Sequence, residues 1–284
     1  LYDFSQGFDS DPVWTNEEAA LPNNVVRPVV GDFDGDASTR EIALVNQTFC
    51  QIVFFSVDTG ETLRITEQLT VGRYCYGLAQ AANVADDPQD ELIFTGAQGI
   101  SRGSVNMTVY DYVDDATQWQ YEYGTNTATR LSLSPAGVVG DLDGDGALEI
   151  VNAVYDNAEE AGASDDGVSE PERWSVVIYD AATGATLGSL RDRQAMGLAD
   201  VDGDGVVDLI TRETLPGEVA APAVSLLEVW SLNDAREPVA TYEIGEGTTV
   251  LEALASNSRV TSRDFGSRPA FFDLDGDGQG NLLV

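Results

Sequence analysis

From about residue 25 onward the chain repeats one texture of apolar and polar positions. A short apolar run comes first: Val25 to Val30, Gly77 to Ala82, Ala136 to Val139, Met196 to Ala199 and Pro269 to Phe272. An acidic stretch interrupts it. A second run follows as Glu41-Ile42-Ala43-Leu44-Val45, Glu91-Leu92-Ile93-Phe94, Glu149-Ile150-Val151 and Asp208-Leu209-Ile210. Alternating segments come next, such as Gln51 to Phe55, Val105 to Tyr110, Ser175 to Tyr179 and Leu226 to Trp230. Turn signals such as Asp58-Thr59-Gly60 and Ala182-Thr183-Gly184 lead to a last run, Glu61 to Ile65 or Ala185 to Leu190. β-Branched and aromatic residues at period two, broken by Gly and Asp, predict strands. No capped helical pattern stands out. The run beside the acidic stretch suits a strand buried on both faces, and the alternating ones suit outer strands.

The interruptions carry the chemistry. Asp141-Leu142-Asp143-Gly144-Asp145-Gly146, Asp200-Val201-Asp202-Gly203-Asp204-Gly205 and Asp273-Leu274-Asp275-Gly276-Asp277-Gly278 share one pattern. Asp32-Phe33-Asp34-Gly35-Asp36 lacks only the last glycine. Carboxylates at alternate positions of a tight loop repel one another, and a hard cation with oxygen ligands relieves that. The gap from 32 to 141 is nearly twice that from 141 to 200, which predicts a hidden copy. Asn83 to Leu92 fits, with Asn83 first, Ala85 third, Asp87 fifth and Glu91 ninth. Successive loops then start 51, 58, 59 and 73 residues apart.

Ligands follow from loop position. The first full-length copy takes Asp141, Asp143, Asp145, the Ala147 carbonyl and Glu149. The next takes Asp200, Asp202, Asp204, the Val206 carbonyl and Asp208. The last takes Asp273, Asp275, Asp277, the Gln279 carbonyl and Asn281. The copy that lacks the last glycine takes Asp32, Asp34, Asp36, Ser38 and Glu41, which stands one residue late. All-oxygen ligation in a flexible loop favours Ca²⁺ over Mg²⁺, at about four sites. An EF-hand would need Glu at position twelve and flanking helices. That position holds Ala43, Asn152, Thr211 and Val284. The expected role is structural, pinning a hairpin, with the copy at Asn83 empty or weak for want of a third-position acid. A metal-free Asp-Gly turn is the rival, and four copies with ligand-like spacing argue against it.

Four strands per unit of roughly sixty residues fit the blade of a β-propeller. The expected class is all-β, with blades near 25–70, 74–123, 131–191, 193–244 and an incomplete 262–284. Residues 1–24 carry no loop; they read as a closing outer strand or a linker. Phe265-Gly266-Ser267, running to Phe272-Asp273-Leu274-Asp275-Gly276-Asp277-Gly278, resembles the FG half of the FG-GAP (or VCBS) repeat of integrin α-type propellers. Phe94-Thr95-Gly96-Ala97-Gln98 resembles the GAP half. The resemblance implies a ring that usually has seven blades. Five inner strands are visible, so a fragment or completion by other chains is expected. It also implies that partners bind the face opposite the calcium loops.

Composition narrows the function. The formal charge is −35, and all 14 basic residues are Arg. This argues against nucleic acid or an anionic membrane surface as partner. Four Ca²⁺ would offset eight charges, leaving −27, so a saline habitat or an Arg-rich codon bias is a further cause. With no His and no Lys, His triads, His-ligated zinc and Schiff-base chemistry are excluded. No apolar run is long enough to insert in a membrane. The start, Leu1-Tyr2-Asp3-Phe4-Ser5-Gln6, reads as a mature form or a fragment.

Cys50 and Cys75 are the only cysteines. Both are expected at the ring end opposite the loops, in adjacent blades. A disulfide there would add roughly 3 kcal/mol and place the protein in an oxidising compartment; two buried thiols are the alternative. The acidic stretch Asp156 to Arg173 reads as a partner loop or a solvated one. Tyr74, Tyr76, Trp119, Tyr121, Tyr123 and Trp174 read as blade packing or a sugar site. The leading expectation is a non-enzymatic, extracellular or cell-surface adhesion module. A propeller lectin is the alternative, followed by a polysaccharide lyase, whose base would have to be Arg, Tyr or a carboxylate.

Overall fold

The computed structural model describes residues 12–16, 28–46, 50–67, 69, 74–75, 79–85, 87–97, 105–123, 138–155, 174–201, 203–214, 225–232, 238, 240–244, 270–272 and 281–283. Among them the regular elements are strands. Blade one comprises β1 (Val29–Gly31), β2 (Glu41–Asn46), β3 (Gln51–Ser56) and β4 (Thr62–Ile65), paired antiparallel in chain order. Blade two has β5 (Tyr74–Cys75) and β6 (Gln80–Ala82), both on β7 (Glu91–Ala97), then β8 (Val105–Asp111) and β9 (Ala116–Tyr123). Its inner strand is thus split in two.

Blade three runs β10 (Val138–Gly140), β11 (Glu149–Tyr155), β12 (Trp174–Asp180) and β13 (Thr186–Arg191). Blade four runs β14 (Arg193–Ala199), β15 (Asp208–Glu213), β16 (Ser225–Trp230) and β17 (Ala240–Ile244). A fifth unit shows β18 (Ala270–Phe272) and β19 (Asn281–Leu283). This is an all-β propeller architecture of four-stranded blades, as the periodicity implies.

The blades repeat in detail. Gly31 pairs with Glu41, Ala82 with Glu91, Gly140 with Glu149, Ala199 with Asp208 and Phe272 with Asn281. The same bulge interrupts the third and fourth strands at Phe54/Phe55, Val109/Tyr110 and Ile178/Tyr179. Such a bulge raises local twist, as a fanned blade requires.

The core lies between blades. Phe33, Ala43, Ile52 and Phe54 of blade one pack on Leu92, Phe94 and Tyr110 of blade two. The opposite side of blade two, with Ile93, Met107 and Val109, meets Ile150, Val177 and Tyr179 of blade three. Blade three's Val151, Trp174 and Val176 meet Ala195, Leu209 and Trp230 of blade four. Each sheet therefore buries both faces against neighbours, which explains the apolar runs that lack clean alternation. At the centre the inner strands approach closely: a Cβ on Gly31 would stand 2.8 Å from that of Ala81.

Trp119, Tyr121 and Trp174 all serve this packing. Trp119 and Tyr121 lie against Tyr179, and Trp174 is buried. The side chains of Tyr74, Tyr76 and Tyr123 lie outside the described residues, as does the acidic stretch 156–173. Cys50 sits just before β3, buried and disulfide-bonded; Cys75, the only other cysteine, is in β5 of the adjacent blade.

Candidate metal centre

Each acidic loop joins the inner strand to the second strand of its blade, so hairpin register decides which acid closes it. Glu41, Glu91, Glu149 and Asp208 open the second strand, opposite the last residue of the first. All four are buried, Glu91 completely. Each carboxylate turns back to accept the N–H of the loop's second residue. Glu41 Oε2 accepts from Phe33 at 2.8 Å, Glu91 Oε2 from Val84 at 2.8 Å, Glu149 Oε2 from Leu142 at 2.7 Å and Asp208 Oδ2 from Val201 at 3.0 Å. The late position of Glu41 is thus one extra loop residue, not a lost closing acid.

That second residue is apolar for a reason. Phe33, Val84 and Leu142 insert between blades and are buried. The side chain plugs the core while its N–H needs an acceptor, which the closing acid supplies.

The other carboxylates organise the loop backbone. Asp141 accepts from Gly144 N–H at 2.7 Å and Gly146 N–H at 3.0 Å. Asp200 does the same for Gly203 at 2.7 Å and Gly205 at 2.9 Å. Asp145 and Asp204 accept from the N–H of Ala147 and Val206. Gly144 and Gly203 have φ of 76° and 79°, and Gly146 and Gly205 of 90° and 89°. Those left-handed values account for glycine at both places.

The first loop differs. It has Ala37 where the others have their second glycine, and Asp32 Oδ2 instead accepts from Arg40 Nη1 at 3.1 Å. Asp34 accepts from Asp36 N–H, and Asp36 from the N–H and Oγ of Ser38. Those bonds to Ser38 lower the exposed Asp36 carboxyl's pKa. Asp32 also ties blade one to blade two. Its N–H donates to Asp90 Oδ2 at 2.9 Å, and its carbonyl accepts from Asp90 N–H at 2.7 Å.

Three acid groups bring one oxygen each within 4.8 Å of the others: Asp32, Asp34 and Glu41; Asp141, Asp143 and Glu149; and Asp87, Glu91 and Asp111. Each could hold a metal ion. The fit rests on donor chemistry, all carboxylate oxygen, and on Asp32 Oδ1, which is buried with no hydrogen-bond donor. Burial first, then neighbouring Asp charges, raises the pKa of Glu41 and of Glu149, against the backbone bonds that lower it. Glu91 is pushed up to about 7, chiefly by burial and further by Asp87 and Asp111. A cation would counter both the burial and the neighbouring charges.

Asp111 escaped sequence reading. It ends β8, twenty residues after Glu91, and β-pairing brings the two side by side, since Leu92 pairs with Tyr110. It supplies the carboxylate that Ala85 cannot, at the copy expected to be empty or weak. The signal was the pair Tyr110-Asp111, matched by Tyr179-Asp180 in blade three. Both cap their own turns, Asp111 through Asp114 and Asp180 through Thr183, and Asp111 also joins Asp87 and Glu91 in one acid group. Asp202, Asp273, Asp275, Asp277 and Gln279 lie outside the described residues. For Asn281 only the strand is described.

No family profile and no curated protein matches the sequence. Among solved structures the chain is similar to rhamnogalacturonan lyase YesW, at 18% identity and a TM-score of 0.48, over 87% of this chain and 48% of that one. It is similar to the Bacillus licheniformis rhamnogalacturonan lyase PL11, at 14% identity and a TM-score of 0.49, over 85% and 48%. It is also similar to BamB from Moraxella catarrhalis, at 13% identity and a TM-score of 0.40, over 77% and 49%. The chain spans less than half the length of each.

Proposed function

We propose that this chain is a calcium-stabilised propeller of the FG-GAP/VCBS kind, acting outside the cell as a binding or adhesion module. The observation that carries the reading is the closing acid. In each of four blades it is buried and spent on the loop's own backbone, where a cation would lock two strands together. Such a site builds a scaffold and leaves substrate no room at the acid. Asp141, Asp143 and Glu149 would hold one ion, Asp32, Asp34 and Glu41 a second. The ion supplies charge neutralisation and cross-linking of the hairpin. The disulfide at Cys50 supports an oxidising, extracellular setting. The partner, a protein or an assembly of proteins, is placed on the face opposite the loops.

The test presents the calcium-loaded chain to a glycan array and to acidic polysaccharides, rhamnogalacturonan among them. The proposal expects neither retention nor cleavage. Retention of a defined glycan would replace it with a lectin reading, and β-elimination products with a lyase reading.

A further inference from the structure

Blade one has an open side. Ala43 and Val45 point to blade two, so Ile42 and Leu44 point the other way, beside Val30, Val53, Phe55 and Ile65 by strand pairing. In blades two, three and four the residue equivalent to Ile42 is Leu92, Ile150 or Leu209, each 0% exposed beneath the preceding blade. Ile42 and Leu44 are only half-buried, and Val30 and Ile65 are 57% and 58% exposed. Val53 and Phe55 in the middle of the face are buried, and the place of Ile65 is taken by the exposed Gln120 and Ser189 in blades two and three, so Ile42, Leu44 and Val30 mark where cover is incomplete.

Residues 12–16 show what the cover is. Trp14 Nε1 donates to the Val57 carbonyl at 2.6 Å, and its ring lies where a Cβ of Gly60 would come within 2.3 Å. Trp119 Nε1 donates to the Ala181 carbonyl at 2.9 Å, and its ring lies where a Cβ of Gly184 would come within 2.7 Å. These are one arrangement seen twice. Val57 and Ala181 each follow the residue paired with the closing acid, and Gly60 and Gly184 both have φ of 71°. Trp119 belongs to β9, the outermost strand of blade two, and reaches over the turn of blade three. Trp14 therefore takes the place over blade one that Trp119, on an outermost strand, takes over blade three.

Three further observations agree. Residues 12–16 alternate half-buried and exposed, as do 118–121, and Pro12 takes part in a β-bridge. Asn16 fastens the strand to Gly60 O at 2.6 Å and Thr62 Oγ1 at 3.1 Å. Upstream, Leu1-Tyr2-Asp3 repeats the ending of the third strand in Val109-Tyr110-Asp111 and Ile178-Tyr179-Asp180.

We propose that the apolar face of blade one docks a further blade of this same polypeptide, with residues 12–16 as its outermost strand. Residues 12–16 are then a clasp and not a linker.

The test uses the full chain and two variants, Val30→Glu and Val30→Lys, with thermal melts and light-scattering mass. Val30 is 57% exposed, so a solvent-facing sheet would tolerate both. The proposal expects a monomer throughout and melting lowered by roughly 5 °C or more in each variant. Unchanged melting would overturn it. So would a parent dimer that the variants split, since a second copy would then be the cover. Should a variant fail to fold, hydrogen exchange on the parent decides. The amides of residues 13–16 should be protected as strongly as those of 118–121, and exchange at loop rates would overturn the proposal.

Discussion

The loops at 32–41 and 141–149 close on one register yet manage their charge differently. In the second, Asp141 holds two glycine N–H groups, and Asp141, Asp143 and Glu149 face one another. In the first, Arg40 bonds one oxygen of Asp32 while the other is buried without a donor. The contrast teaches that the closing acid is the fixed element of the repeat. It accepts the N–H of the loop's apolar second residue in blades one to four. The residues around it trade glycine, arginine or a distant aspartate against cation charge.

The largest effect should come from breaking the fixed element. Glu149→Ala leaves the Leu142 N–H buried without an acceptor. It should cost about 2–3 kcal/mol, seen as a fall in melting of roughly 4–10 °C even in chelator. Glu149→Gln can keep the hydrogen bond and lose the charge. It should spare the chelated protein and remove most of the gain from calcium, which sharpens the division between bond and ligand.

Next in size is the pH response of blade two. Glu91 has its pKa raised from 4.5 to about 7 in the folded state. Below pH 4.5 both states carry its proton. Between pH 4.5 and about 7 the folded state keeps a proton that the unfolded chain releases, so metal-free stability falls as pH rises through that window. Melts in chelator should show this slope, and Glu91→Gln should flatten it. Calcium should reduce it, because the ion replaces the proton as the neutralising charge.

A smaller effect is expected at Gly144. Its φ of 76° makes Gly144→Ala cost about 1 kcal/mol, and the Val206 methyl 3.0 Å from the new Cβ would have to give way. The smallest is at Arg40. The ion pair is half exposed, so Arg40→Gln should change stability by less than about 1 kcal/mol while tightening calcium at the first loop a few-fold by calorimetric titration. Unchanged or weaker binding would mean that Arg40 and the ion do not compete.

The blade architecture was legible in sequence because loop, apolar run and turn recur at similar spacing, and strand pairing is local within a blade. The acid groups Asp32, Asp34 and Glu41, and Asp141, Asp143 and Glu149, were legible for the same reason. What escaped reading depends on contacts between strands or blades. Asp111 reaches Glu91 only through β7–β8 pairing. Trp14 meets Val57 across 43 residues and an interface between blades. The bond from Arg40 to Asp32 is a side-chain contact that loop spacing does not show. The stretch Asn83 to Leu92 looked decayed because its missing acid stands on another strand.

The central claim is that a cation completes these carboxylate clusters and holds the hairpins together. Its most direct measurement is the melting temperature of the intact, oxidised chain with millimolar calcium and again with excess chelator at the same ionic strength. The account predicts a calcium-dependent rise that grows with free calcium, roughly 10 °C or more at saturation. Identical melting in calcium and in chelator would contradict it.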